Sequence, residues 1–299
     1  MIFVKYINKI YQFFLSDRSK GKISNLIFMT AIAFFIVHSM VIALVSLGVL
    51  PGSLYNRLAV VPEPLSAIYT PFSIILLYEI YLIIYYLPKS IKIYLGKQYE
   101  IIALILIRNI FDDLAKLSAE MNGAVNEHIS DLLWTFGGLI VLLLLIFCFY
   151  KLSESKHIRT SESECNIKQR RFIFIKKVLS LFLLLLFVLL FFRSLTSLYD
   201  FYPLTMDNII SVIKEMSNQF FTTFFTVLII VEVLLLLFMY DLDENFSKVI
   251  RNSGFIISTI LLKLSFRVED KANIVFILIA VAFGVVILGI NRLYERIRQ

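Results

Sequence analysis

Long apolar blocks alternate with short polar ones along almost the whole chain. Seven stand out, at residues 25–48, 66–87, 131–150, 177–198, 218–240, 252–266 and 272–290. At 1.5 Å of rise per residue, most are long enough to cross about 30 Å of hydrocarbon as an α-helix. Backbone polar groups inside a bilayer must be satisfied within the protein, so only helices or a closed barrel can span it. The two-residue alternation of a barrel strand is absent. The pattern therefore predicts an all-α, polytopic membrane protein. Ahead of the first block, Ile2, Phe3, Tyr6, Ile7, Ile10, Phe13 and Phe14 recur at helical spacing opposite Lys5, Asn8, Lys9 and Gln12. That spacing predicts an amphipathic helix over residues 1–24 lying on the membrane surface. No cleavable signal is expected, because block 25–48 exceeds a signal's apolar region and lacks a small-residue cleavage site.

An eighth segment, residues 98–118, "QYEIIALILIRNIFDDLAKLS", is apolar but carries Glu100, Arg108, Asp112, Asp113 and Lys116. Hydropathy alone leaves it either crossing or lying at the interface. Charge placement separates the two. If it crosses, both termini face the same side, and 21 lysines and arginines fall there against 4 on the other. If it lies flat, the basic residues divide almost evenly. Membrane proteins concentrate Lys and Arg in cytoplasmic loops, so eight crossings with both termini cytoplasmic in an inner (plasma) membrane are expected. A crossing helix with these charges turns them away from lipid, and Arg108 and Asp112, one turn apart, are placed to pair.

Composition supports the membrane assignment: 59% of the residues are hydrophobic and mean hydropathy is +0.84, beyond the range of soluble domains. The net charge of +7 belongs to the loops and is not read as nucleic-acid binding. Cys148 and Cys165 fall in a span and a polar loop and form no disulfide framework. The three histidines lack ligand spacing, so no metal or other cofactor is expected.

Residues 151–176 form a basic linker, with Lys168, Arg170, Arg171, Lys176 and, at its edge, Lys177 near the membrane. Four spans precede it and four follow, giving two four-helix bundles over residues 25–150 and 177–299. The halves carry charge in matching places. "SIILLYEIYLIIYY" holds Glu79 and "TVLIIVEVLLLLFMY" holds Glu232; Arg108 and Lys263 follow, at an offset of 155 residues. This reads as a parallel duplication. Taking span midpoints as the bilayer centre, His38, Glu79, Arg108 and Glu232 fall in one layer, with Lys263 slightly toward the outside. Charges in the membrane interior persist when paired or hydrated, so Glu79 is expected to meet Arg108, and Glu232 to meet Lys263.

Residues 228–293, "LIIVEVLLLLFMYDLDENFSKVIRNSGFIISTILLKLSFRVEDKANIVFILIAVAFGVVILGINRL", resemble the PsiE-like, phosphate-starvation-inducible membrane proteins. Those are small four-helix proteins with a glutamate in the second helix, a basic residue in the third, a short acidic turn and an apolar fourth helix. Glu232, Lys263, Glu269 and Asp270 occupy these places, with lysine where the family pattern has arginine. The first half shares the pattern through Glu79, Arg108 and Asp112. The resemblance implies a fold and no established activity.

Three functions are compatible with this reading. The buried acid–base pairs line a path for protons or small ions, or serve sensing; or they fix helix register in a membrane scaffold or regulator; or the acidic runs "RNIFDD" and "YDLDEN" hold metal for a lipid-linked enzyme. The last is disfavoured, since Asp112 and Asp241 fall on opposite faces of the membrane and no nucleotide, hydrolase or zinc motif is present. His38 has two roles open to it, core hydrogen bonding or proton relay. The partners expected are the bilayer, anionic lipid at the basic linker and further copies of the chain, with no nucleic acid.

Overall fold

The computed structural model describes residues 2–48, 69–119, 125–154, 167–200, 206–240, 246–266, 268 and 270–297. These form helices and turns, with no β-strand among the described residues. In chain order the helices are α1 (Ile2–Phe14), α2 (Asp17–Ser46), α3 (Tyr69–Tyr86), α4 (Ile91–Ala119) and α5 (Val125–Ser153). The second half provides α6 (Ile167–Asp200), α7 (Met206–Tyr240), α8 (Phe246–Ser265) and α9 (Asp270–Ile297).

Local chemistry sets the helix ends. Ser16 breaks α1 from α2 and caps α2, its Oγ accepting the Ser19 N–H at 3.2 Å. Pro88 follows the last turn of α3, and Ser90 then starts α4, its Oγ 3.4 Å from the Ile93 N–H. That cap fixes the rotation at which α4 presents Tyr94 and Gln98.

Each helix from α2 to α5 packs on the next, as does each from α6 to α9. The halves meet through α5 on α9, α4 on α8 and α3 on α6, and a single apolar core runs through both. Its largest fully buried side chains include Tyr99, Phe149, Phe224 and Phe255. Tyr99 and Phe149 meet edge to face, ring centres 5.2 Å apart. Two glycines permit the closest approaches across the halves. A Cβ on Gly138 would collide with the Ile274 side chain, and one on Gly284 with the Tyr99 hydroxyl. Sparse glycine does not prevent close packing here, because these two sit where α5 and α4 meet α9.

By length and composition, five described stretches can cross a membrane: Val4–Leu44, Ile129–Ser153, Arg170–Ser194, Thr222–Tyr240 and Lys271–Tyr294. Within α3 a shorter apolar stretch runs from Ile74 to Tyr86. The other expected crossings, in α4 and α8, carry the charged and polar groups. Their polar faces turn into the protein: Gln98 and Tyr99 of α4 and Ser258, Thr259, Lys263 and Ser265 of α8 are all buried. At the opposite extreme, α2 exposes Phe28, Met29, Ile32, Phe34, Phe35, Ile36, Val37 and Met40, a surface suited to hydrocarbon.

The N-terminal segment is helical, as its periodicity predicts. Tyr6, Ile10, Phe13 and Phe14 stay exposed while α1 rests on α6, where the Lys177 ammonium donates to Asn8 Oδ1 at 3.0 Å. The basic linker is shorter than expected. Helix α6 begins at Ile167, so Lys168, Arg170, Arg171, Lys176 and Lys177 belong to its first turns. The reason is packing: Phe172, at helical spacing from Leu179, lies against the core and extends the helix beyond the apolar block.

Candidate functional site

Glu232 sits near the middle of the apolar stretch Thr222–Tyr240 of α7, with 1% of its surface exposed. Its carboxylate meets the Lys263 ammonium of α8, Oε1 to Nζ, at 2.6 Å, with both side chains almost wholly buried. Successive helices bring them together, since α7 packs on α8. The remaining partners come from the first half of the chain. The Tyr94 hydroxyl donates to Oε1 at 2.6 Å and the Gln98 side-chain amide donates to the same oxygen at 3.1 Å. The Thr259 hydroxyl lies 3.0 Å from Oε2 and 2.8 Å from the Ile256 carbonyl, so its single proton serves one or the other. Lys263 also donates to Gln98 Oε1 at 3.3 Å and to the Thr259 carbonyl at 3.4 Å, which engages all three of its N–H bonds.

This is the arrangement that makes an ion pair tolerable away from water. Desolvating two charges costs several kcal/mol each, and their attraction offsets that only with good geometry and with the other lone pairs and protons engaged. A second polar contact lies beside it: the Tyr99 hydroxyl is 2.7 Å from Ser258 Oγ, which donates to the Ala280 carbonyl at 2.6 Å. Together the two contacts pin α4 across α8 and α9.

Tyr94 and Gln98 were not among the expected site residues. Their signal was the spacing: Tyr94 and Gln98 are one turn apart, as are Thr259 and Lys263, so each helix carries a two-residue polar stripe. That spacing marks a polar face without saying which helix it meets.

The other expected residues lie elsewhere. Glu79 is buried on α3, with 4% exposure. Arg108 acts on its charge through space, but no ion pair within 4.0 Å joins them among the described residues. The guanidinium instead lies half-buried in the wall of a cavity. His38 is half-buried on α2, which packs on α3, and takes no part in the Glu232 network. The side chain of Asp112 and residues 241–245 lie outside the described residues, as does Cys165; Asp113 accepts from the Thr135 hydroxyl at 3.3 Å. Of the basic residues, Arg170 and Arg171 are exposed and Lys168 has no described side chain. Lys176 is buried, its ammonium donating to the Lys89 carbonyl at 3.1 Å. It therefore holds α6 to the end of α3 and is withdrawn from any lipid headgroup.

The cavity is about 350 Å³ and has Arg108, Asn109, Thr222, Thr226, Lys263 and Asn273 among its walls. These come from the second half of α4, the middle of α7, the last turns of α8 and the first turns of α9, so the cavity lies toward the end of the bundle where α8 gives way to α9. Lys263 belongs to both features, facing the cavity while its ammonium holds Glu232.

No family model, no curated protein and no solved structure matches this chain.

Proposed function

We propose that the chain is an eight-crossing membrane protein made of two PsiE-like four-helix units, and that its buried acid–base network serves the movement of protons or small ions. The order of packing supports two units: α2 to α5 pack in the same sequence as α6 to α9. Two of the contacts between the halves also join like helices, α5 on α9 and α4 on α8, while the third, α3 on α6, does not. Crossings in alternating directions put the cavity at the end away from the chain termini.

One observation carries the transport reading. Lys263 links a partly polar cavity to a carboxylate buried within the apolar stretch of α7, so an ion entering from that end reaches the charged network directly. Ionisable groups in a membrane interior mark ion or proton routes when they adjoin a wet cavity. The test is flux in liposomes containing the purified protein, with Glu232→Gln and Glu79→Gln made separately. Loss of proton or ion flux, or a changed pH dependence, in folded Glu232→Gln is expected; wild-type values in both variants would remove the reading.

A second reading rests on the completeness of the network. Every Lys263 proton and Glu232 Oε1 have partners, with the Thr259 hydroxyl in reach of Oε2, as in pairs that only fix helix register. On that reading Glu232→Gln changes stability and nothing else.

A further inference from the structure

The cavity walls have a chemistry that the ion pair does not explain. Two cationic side chains reach it, Arg108 and Lys263, and no carboxylate is found among its described lining residues. Lys263 is matched by Glu232 at 2.6 Å. Arg108 has no hydrogen bond or ion pair among the described residues, and the nearby Glu79 carboxylate does not come within 4.0 Å of it. A guanidinium carries five N–H donors in a planar fork, and here none of them is taken by a partner among the described residues. Beside it is Asn109, the next residue on α4, and across the cavity is Asn273 in the first turns of α9. Asn273 has a buried side-chain oxygen with no partner, so its amide is not held by the protein in one orientation and is free to turn its N–H₂ toward a ligand.

We infer that this cavity binds a small inorganic anion, held by the Arg108 guanidinium and the side-chain amides of Asn109 and Asn273, with the ammonium of Lys263 at its inner end. An unpaired guanidinium in low-dielectric surroundings disfavours a cation and favours one negative charge. The volume leaves room for an ion that keeps part of its hydration shell. The site names the species for the transport reading and rests on that reading only for the claim that the anion moves; binding stands on the cavity alone.

The experiment uses the full chain in detergent micelles. Thermal unfolding is followed while sodium gluconate is replaced by sodium chloride or sodium nitrate at constant ionic strength, and affinity is read by isothermal titration. A ligand that binds the folded form raises the unfolding midpoint in a saturable way. The expected result is saturable stabilisation by chloride or nitrate, weakened about tenfold or more by Arg108→Gln, as for loss of a hydrogen bond to a charged group. Asn273→Ala should weaken binding in the same direction and serves as the second variant should Arg108→Gln fail to fold. Arg170→Gln, an exposed cation remote from the cavity, should leave it unchanged. Absence of saturable stabilisation, or wild-type affinity in both cavity variants, overturns the site. Liposome flux separates this from the transport reading: saturable anion binding without flux keeps the site and removes transport, whereas proton flux with no anion binding keeps transport and overturns the site.

Discussion

Glu79 on α3 and Glu232 on α7 are both almost completely buried, yet their surroundings differ. Glu232 accepts from Lys263, Tyr94 and Gln98, with the Thr259 hydroxyl in reach. Glu79 has no hydrogen bond among the described residues, and the cation expected beside it turns into a cavity. Glu232 draws two donors from α4 in the other half of the chain, whereas no described residue of α8 hydrogen-bonds Glu79. At the 155-residue offset relating Arg108 to Lys263, the positions matching Tyr94 and Gln98 are Val249 and Ser253. Valine has no polar atom to offer, and Ser253 Oγ contacts the Tyr240 hydroxyl at 3.5 Å instead. A buried carboxylate is therefore accommodated here by residues far away in sequence, and its own helix decides little.

The contrast can be broken most severely by removing one member of the complete pair. Lys263→Met alone should leave Glu232 buried without its cation and destabilise the fold by about 3–5 kcal/mol, seen as loss of a monodisperse species or a much lower unfolding midpoint. Combining it with Glu232→Leu should recover most of that loss, since an apolar pair of similar volume needs no desolvation. Tyr94→Phe removes a hydrogen bond to a charged group and should cost about 1.5–3 kcal/mol, with a double-mutant cycle showing coupling to Glu232 and none to Glu79. Gly284→Ala places a methyl group against the Tyr99 hydroxyl, displacing Tyr99 from Ser258 and costing about 1–3 kcal/mol by overpacking. The smallest effect belongs to the other carboxyl group. Glu79→Gln breaks no hydrogen bond among the described residues and should change stability by no more than about 1 kcal/mol, the net worth of one such bond. Equal losses at Glu79 and Glu232 would erase the distinction between the halves.

Much of the helical layout is legible in the chain because apolar blocks and their breaks are local. Ser16, Pro88 and Ser90 mark ends that the helices respect. The contact between Glu232 and Lys263 is legible too, since neighbouring helices in a hairpin pack and each carries one charge at similar depth. What is not legible depends on helix rotation. Arg108 and Glu79 are at similar depth by the same reasoning, but Arg108 lines the cavity and makes no ion pair with Glu79 within 4.0 Å. Lys176 reads as a loop cation, yet its helix starts early enough for the ammonium to reach the Lys89 carbonyl. Tyr94 and Gln98 read as ordinary members of a charged helix, because nothing local identifies a partner 134 residues away.

That separation has a consequence for how the chain is made. Tyr94 and Gln98 leave the ribosome long before Glu232, and at roughly 5–20 residues per second the delay is on the order of ten seconds. Throughout that interval the Tyr94 and Gln98 donors lack their Glu232 acceptor. A ribosome stalled between residues 200 and 230 would leave behind a first half without that acceptor.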